Sequence, residues 1–426
     1  MLTPINRAWR VPDCCGGLVG PRMRTFPDTS RRAIRLCGLV AACQRPDVEC
    51  VQRYRPVLRT DELDYDLPEH AIATTPAEPR DAARLMRIER REGGLTRHAV
   101  IRDLPGMLRP GDLLILNTTR VLPARLEGTR TDTGARVEGL YLHAAANADA
   151  AVSERRWVLL LKAKKPREGL TVRCDAALGE GIALTLLHRS VAEPGAWVAR
   201  VDADDQPDHA ILSRIGATPL PPYILAARRH GQIDMPDAYD RARYQTVYAD
   251  QAGSVAAPTA GLHLTPTVLD ALTDRGVLRA DVVLHVGIGT FKPVETEYVE
   301  QHPIHAEWCS MNAETRGAIL RARREGRRVI CIGTTAARTV ETFAALHERG
   351  DTRTEVETRL LITPGYDWRW TDGLLTNFHL PRSTLLAMCG ALIDGGVGRL
   401  KSVYADAMTR GYRFFSYGDA MLIADE

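Results

Sequence analysis

Lysine is scarce in this 426-residue chain: only positions 162, 164, 165, 292 and 401 carry it, and the rest of the 56 basic residues are arginine. Three of those five lysines fall within four positions. Long apolar runs are missing too. None approaches the ~20 residues that a membrane helix needs, which excludes a helical spanning protein. Among nine cysteines (14, 15, 37, 43, 50, 174, 309, 331 and 389) there is no C-x-x-C pair, so they read as the reduced thiols of a cytoplasmic protein. Residues 1–59 lack any sustained helical or strand period. They hold eleven Arg against four acids, a net of +7, which leaves −4 for the body out of the total +3. A ligand with a phosphate backbone would therefore have to be met by a local basic patch, because the overall field is mildly acidic. The arginine-rich start reads as a disordered extension or as sequence upstream of the true start; a transit peptide or an RNA-binding tail is the alternative.

What is present is an ordinary globular composition, 45% hydrophobic, long enough for a large core and more consistent with two domains than with one. The most unusual stretch is Tyr244 to Thr265, YQTVYADQAGSVAAPTAGLHLT. Its small side chains, glycines and hydroxyls leave little apolar surface to bury and suit a loop that wraps a ligand. It places His263 just ahead of a helix start at Thr265-Pro266, where threonine caps and proline takes the first turn. An apolar strand pattern over 277–286 then runs into a second glycine-rich turn, His285-Val-Gly287-Ile-Gly289-Thr290-Phe291. The two loops flank one helix and one strand. Either loop alone is more often just a plain turn.

The remainder of the chain predicts a layered α/β main domain, 60–119 and 219–426, interrupted by a small β-barrel over 120–218. A short helix opens at Leu67-Pro68, and strands are expected over 85–89, 95–101 and 113–117, the last ending on the polar cluster Asn117-Thr-Thr-Arg120. From 121 to 218 only short alternating segments occur, at 135–142, 156–161, 170–172, 182–187 and 197–201, as in a barrel. Inside it, Lys162, Lys164, Lys165 and Arg167 form a charge run that is either a solvated turn or a phosphate contact. Later, Asn312 and Gly326 bracket a helix. A strand over 327–332 turns at Gly333-Thr334-Thr335 into a helix carrying Arg338, where free amides and the guanidinium could receive a carboxylate or phosphate. A polar turn, Asn377 to Thr384, joins a strand to an apolar helix. The closing segment, Tyr412 to Asp419, reads as a strand whose aromatics belong mostly to the core.

The motifs YQTVYA, GSVAAPTAGLH, LHVGIGTF, GTT with Arg338, LLTNFHLPRSTLL and YRFFSYGDAML, together with DELDYDLPEHAIATTPAEPRDAARLM from Asp61, resemble the S-adenosylmethionine:tRNA ribosyltransferase-isomerases of queuosine biosynthesis. The resemblance spans everything beyond the first 60 or so residues. Thr118 is a small departure from it, since the family usually carries asparagine there. It implies an α/β fold with an inserted barrel, no cofactor, and two partners, S-adenosylmethionine as ribosyl donor and a tRNA bearing 7-aminomethyl-7-deazaguanine at the wobble position. Epoxyqueuosine, adenine and methionine would be the products, and a monomer is the expected form. Such chemistry needs a base beside the sulfonium, a proton for departing adenine and a dry pocket. His263, His285 and His379, each beside a polar or glycine turn, are the candidates, with His263 the first choice. The resemblance further implies substrate contacts at Arg120, Tyr244, Gln245, Ser254, Pro258, Thr259, Gly261, Gly287, Gly289, Thr290, Thr334, Arg338, Asn377, Ser383, Arg413 and Asp419, and tRNA contacts at the basic run. Two other readings compete: a metal hydrolase built on His302-x-x-His305-x-x-x-Cys309, and a non-catalytic RNA-binding module. The first lacks an evident further ligand, and the second lacks an aromatic-and-basic stacking surface.

Overall fold

In the computed structural model, residues 57–145, 154–176, 180–287, 289 and 292–426 are described. Of the N-terminal extension only residues 57–59 are described, with Leu58 buried in the main core, and Thr290 lies outside the described residues. The first described strands are β1 (Arg84–Ile88) and β2 (Thr96–Val100), then the fully buried β3 (Leu113–Asn117) and the short β4 (Thr119–Val121). The expected helix at Leu67 is only a single 3₁₀ turn, Glu69–Ala71. Six strands follow: β5 (Arg125–Arg130), β6 (Arg136–Ala144), β7 (Arg156–Lys162), β8 (Thr171–Cys174), β9 (Ile182–Arg189) and β10 (Trp197–Asp202). They pair in the order β5-β6-β7-β10-β9-β8, and β8 returns to β5 through Thr129↔Arg173 and Arg130↔Val172, closing a barrel. Gly128 permits that closure, because a Cβ there would sit 2.5 Å from the Arg173 carbonyl oxygen. Trp157, Tyr141, Leu159, Leu184 and Trp197 fill the interior, and Ile211, Leu212 and Ile215 of the helix Asp208–Ile215 join the same core.

The chain then returns through β11 (Gly216–Ala217, on β5) and β12 (Gln251–Ser254, parallel to β4) to the main sheet. Its remaining strands are β13 (Leu278–Leu284), β14 (Glu307–Ser310), β15 (Val329–Ile332), β16 (Glu355–Thr358), β17 (Gly373–Asn377) and β18 (Ala420–Ile423). The sheet order is β16-β14-β13-β3-β15-β17-β18-β1-β2. β13, β3, β15 and β17 run parallel, whereas β18 runs against β17. Both faces are buried, as parallel strands require. Ile115, Cys331, Leu374 and Ile423 pack against the helices Ala313–Arg324, Thr334–Glu348, Thr384–Leu392 and Gly396–Thr409. Leu114, Leu116, Ile330 and Leu375 pack against the helix Pro266–Asp274 on the other face. Residues 412–419 form a turn rather than the expected strand, with β18 beginning just beyond it. Its aromatics are nonetheless core: Tyr412, Phe414, Phe415 and Tyr417 are buried.

Candidate active site

Four parallel strands deliver their carboxyl ends to one edge of the sheet, the place where open α/β sheets hold ligands. Asn117 ends β3, His285 follows β13, Gly333 follows β15 and Asn377 ends β17. Over this edge lies a small cavity of about 60 Å³. Pro258, Thr259 and Val286 contribute to its wall from one side, Thr334 and Thr335 from a helix start, Thr376 to His379 from the end of β17, and Ser383, Tyr223, Phe415 and Ser416 complete it.

Local sequence explains each wall. Gly333 has φ of 91°, a turn that only glycine makes cheaply, and it opens the helix Thr334–Glu348 without any side-chain cap. The first amides of that helix therefore have no intrahelical acceptor and give the wall a partial positive charge. Ser383 caps the helix Thr384–Leu392 by accepting the Leu386 N–H at 3.1 Å. Tyr223 and Phe415 place their rings 4.8 Å apart, and the Tyr223 hydroxyl meets Ser416 Oγ.

The three histidines are not equivalent. His379 lines the cavity, its Nε2 2.9 Å from Thr376 Oγ1, its backbone N–H donating to the Tyr404 hydroxyl and its carbonyl accepting from Tyr65. Burial lowers its pKa, so at neutral pH it is an uncharged base. His285 is half-buried, stacked on Trp308 at 4.8 Å, with Nδ1 2.8 Å from Thr119 Oγ1. Its ring lies against Gly253, where a Cβ would come within 2.4 Å of Nε2. Burial lowers its pKa as well. His263, the first choice from sequence, does not line the cavity. It is 4% exposed and stands one residue behind the wall, with Nε2 3.0 Å from Asn377 Nδ2. Burial, reinforced by Arg413 and Arg80, pushes its pKa down to about 3.

The stretch from Tyr244 to Thr265 gives Pro258 and Thr259 to the wall, and much of the rest of it is buried. Its small residues serve close packing: a Cβ at Gly261 would meet the Tyr248 hydroxyl at 1.9 Å. Ser254 is fully buried and spends its hydroxyl on the backbone, donating to the Ala256 carbonyl at 2.6 Å and accepting from Val286 N–H at 2.9 Å. Gln245 imitates a strand partner, accepting from Val121 N–H at 3.0 Å and donating to Val121 O at 3.3 Å. Tyr244 is buried against Tyr417, and Arg120 is exposed, donating to the carbonyls of Ala249 and Asp250. Asn117 is also saturated. Its amide donates to Leu284 O and Thr335 Oγ1, and its oxygen accepts from Leu284 and Thr119 N–H, so it ties strand ends together and has no capacity left for a ligand.

Arg413 and Asp419 form a further tie away from the cavity wall. Asp419 accepts the Arg84 N–H at 2.9 Å and the Arg413 N–H at 2.8 Å, with its carboxylate 3.6 Å from the Arg413 guanidinium. Arg338 makes a buried ion pair with Glu307, whose other oxygen accepts the Gly287 N–H at 2.9 Å. Its Nε donates to Leu360 O at 3.1 Å, and Nη2 is buried without a hydrogen bond beside a smaller cavity that Gly289 and His305 share. Of the proposed zinc trio, Cys309 is buried in the core on β14 and His302 and His305 are half-buried. Among the described residues no three His, Cys, Asp or Glu side chains converge as a metal site. Lys162 ends β7 and Lys164, Lys165 and Arg167 sit on the exposed turn after it, where Arg130 donates to the Lys164 carbonyl at 2.6 Å. No described helix is long and apolar enough to cross a membrane.

Tyr223, Thr335, Phe415 and Ser416 are wall residues that sequence reasoning missed. Thr335 follows directly from the Gly-Thr-Thr turn. Tyr223 sits in a proline-rich entry with no motif to mark it.

Residues 60–423 match the model of a family described as "Queuosine biosynthesis protein". The chain is 44% identical over 361 residues to an S-adenosylmethionine:tRNA ribosyltransferase-isomerase of Heliobacterium modesticaldum, covering 84% of this chain and 98% of that protein. It is likewise 44% identical over 375 residues to one from Phenylobacterium zucineum, covering 86% and 99%. A crystal structure of an S-adenosylmethionine tRNA ribosyltransferase from Thermotoga maritima matches at 31% identity over 85% of this chain and 99% of that one, with a TM-score of 0.45.

Proposed function

Because this chain belongs to the queuosine biosynthesis protein family, matched from residue 60 to 423, we propose that it is an S-adenosylmethionine:tRNA ribosyltransferase-isomerase acting at the strand-end cavity. It transfers and isomerises the ribosyl group of S-adenosylmethionine onto 7-aminomethyl-7-deazaguanine at the wobble position of a tRNA, giving epoxyqueuosine and releasing adenine and methionine. The carrying observation is the cavity itself, which joins a base, a helix start and an aromatic wall in one enclosed space at the sheet's carboxyl edge.

His379 takes the proton-transfer role. It is the one candidate histidine on the wall, and as an uncharged imidazole it can remove the proton that the adjacent sulfonium acidifies. Thr376 orients its ring. The uncapped amides at Thr334 and Thr335 suit the methionine carboxylate, while the apolar residues around them keep water from the reacting cation. The exposed run Lys162, Lys164, Lys165 and Arg167 meets tRNA phosphates, a local patch on a body whose overall charge is slightly negative.

The test is release of free adenine from S-adenosylmethionine, followed chromatographically with tRNA that carries the aminomethyl-deazaguanine and with unmodified tRNA. Adenine should appear only with the modified tRNA. Adenine in both reactions would indicate a simple nucleosidase, and adenine in neither would leave a binding protein.

A further inference from the structure

The Asn377 side chain is 2% exposed and forms part of the cavity wall, yet its carboxamide is only half used. One amide hydrogen goes to the Phe415 carbonyl at 3.1 Å and the other to His263 Nε2 at 3.0 Å. The oxygen, Oδ1, is buried and has no hydrogen-bond partner. Turning the amide over would set Oδ1 against the Phe415 carbonyl, acceptor against acceptor, so the nitrogen must lie on the protein side. His263 Nε2 is then an acceptor and carries no proton. A buried acceptor without a donor is destabilising, which a ligand's N–H would relieve.

We propose that His263 is a positioning residue that holds the Asn377 amide so that Oδ1 accepts a hydrogen bond from the exocyclic amino group of the adenine of S-adenosylmethionine. The aromatic side of the cavity, Tyr223 and Phe415, lies next to Asn377 and offers ring faces for a purine, whereas the helix start at Thr334 lies toward β15 and favours a carboxylate. The substrate therefore lies in one direction, adenine toward β18 and methionine toward β15. This orientation rests on the cavity being the S-adenosylmethionine site. It assigns to His263 an indirect role in place of proton transfer.

Calorimetric titration of the full chain tests it without turnover. The probes are S-adenosylhomocysteine, its analogue with hydrogen in place of the 6-amino group, and its 2′-deoxy analogue. Wild type should bind the parent about tenfold more tightly than the des-amino compound, since the latter leaves Oδ1 unpaired. His263→Leu removes the acceptor that holds the amide and should bring that ratio close to one. His263→Gln supplies a replacement acceptor and should keep the preference. Should His263→Leu fail to fold, Asn377→Leu provides the same comparison with His263 intact and should also bring the ratio close to one. Equal binding of parent and des-amino ligand by wild type overturns the inference, as does a penalty confined to the 2′-deoxy compound or a full preference surviving in His263→Leu or Asn377→Leu. If no probe binds at all, the cavity is not the S-adenosylmethionine site and the functional reading falls with it.

Discussion

Lowering the pH from 7 to 5 should destabilise this protein through His263, and replacing that residue should remove the effect. In the folded chain burial, with Arg413 and Arg80 adding repulsion, holds the imidazole pKa at about 3, against an ordinary value of 6.5. Between those two values the unfolded chain binds a proton that the folded chain refuses, so stability is complete above pH 6.5 and falls as the pH drops toward 3. Each pH unit in that window costs about 1.4 kcal/mol, so the drop to pH 5 costs about 2 kcal/mol from this one group. His379 shifts in the same direction, so the wild-type loss alone does not isolate His263. His263→Gln does, because glutamine can still accept from Asn377 Nδ2 but does not titrate. Urea unfolding at pH 7 and pH 5, with m unchanged, should show wild type losing about 2 kcal/mol more than the variant. Equal losses in the two proteins would show that His263 is not held neutral by its surroundings, and the tautomer assigned to it would be refuted.

His379→Gln should lower kcat by ~10²–10⁴ with KM for S-adenosylmethionine little changed; steady-state adenine release would show it, and a near-wild-type kcat would move the base to His285. Neutralising Lys162, Lys164, Lys165 and Arg167 should weaken tRNA binding and flatten its log–log salt dependence by roughly 0.7–0.9 per lost contact, with S-adenosylhomocysteine affinity unaltered. Asn117→Leu leaves the backbone groups of Leu284 and the Thr119 N–H without their partner. At about 1–3 kcal/mol for each buried group left unpaired, it should lower the urea midpoint markedly.

How much of this was legible in the sequence depended on how local each cause was. Helix starts with a side-chain cap were plain, because such a cap is a contact three residues long: Thr265 accepts from Val268 N–H at 3.3 Å and Asn312 from Thr315 N–H at 2.8 Å. Five barrel strands were visible from their alternation. The first, Arg125–Arg130, was missed because only Leu126 in it is buried and its partners on either side supply the pattern. The stretch from Tyr244 to Thr265 shows the reverse problem. Small residues and glycines signal close approach, but composition does not say whether a ligand or the protein's own Tyr248 hydroxyl and His285 ring fills the space. His263 was read from its immediate neighbours, whereas its observed contact depends on Phe415, 152 positions away, which fixes the asparagine it meets. Such a contact has no sequence signature.

The central claim is that S-adenosylmethionine gives up its ribosyl group in the strand-end cavity. S-adenosylmethionine radiolabelled separately in the ribose and in the methyl group, incubated with modified tRNA, tests it most directly. The ribose label should enter the tRNA and the methyl label should remain with methionine. Thr334→Tyr, which fills the cavity wall at the helix start, should abolish the transfer while the protein stays folded. Methyl label in the tRNA, or undiminished ribose transfer by Thr334→Tyr, would contradict the account.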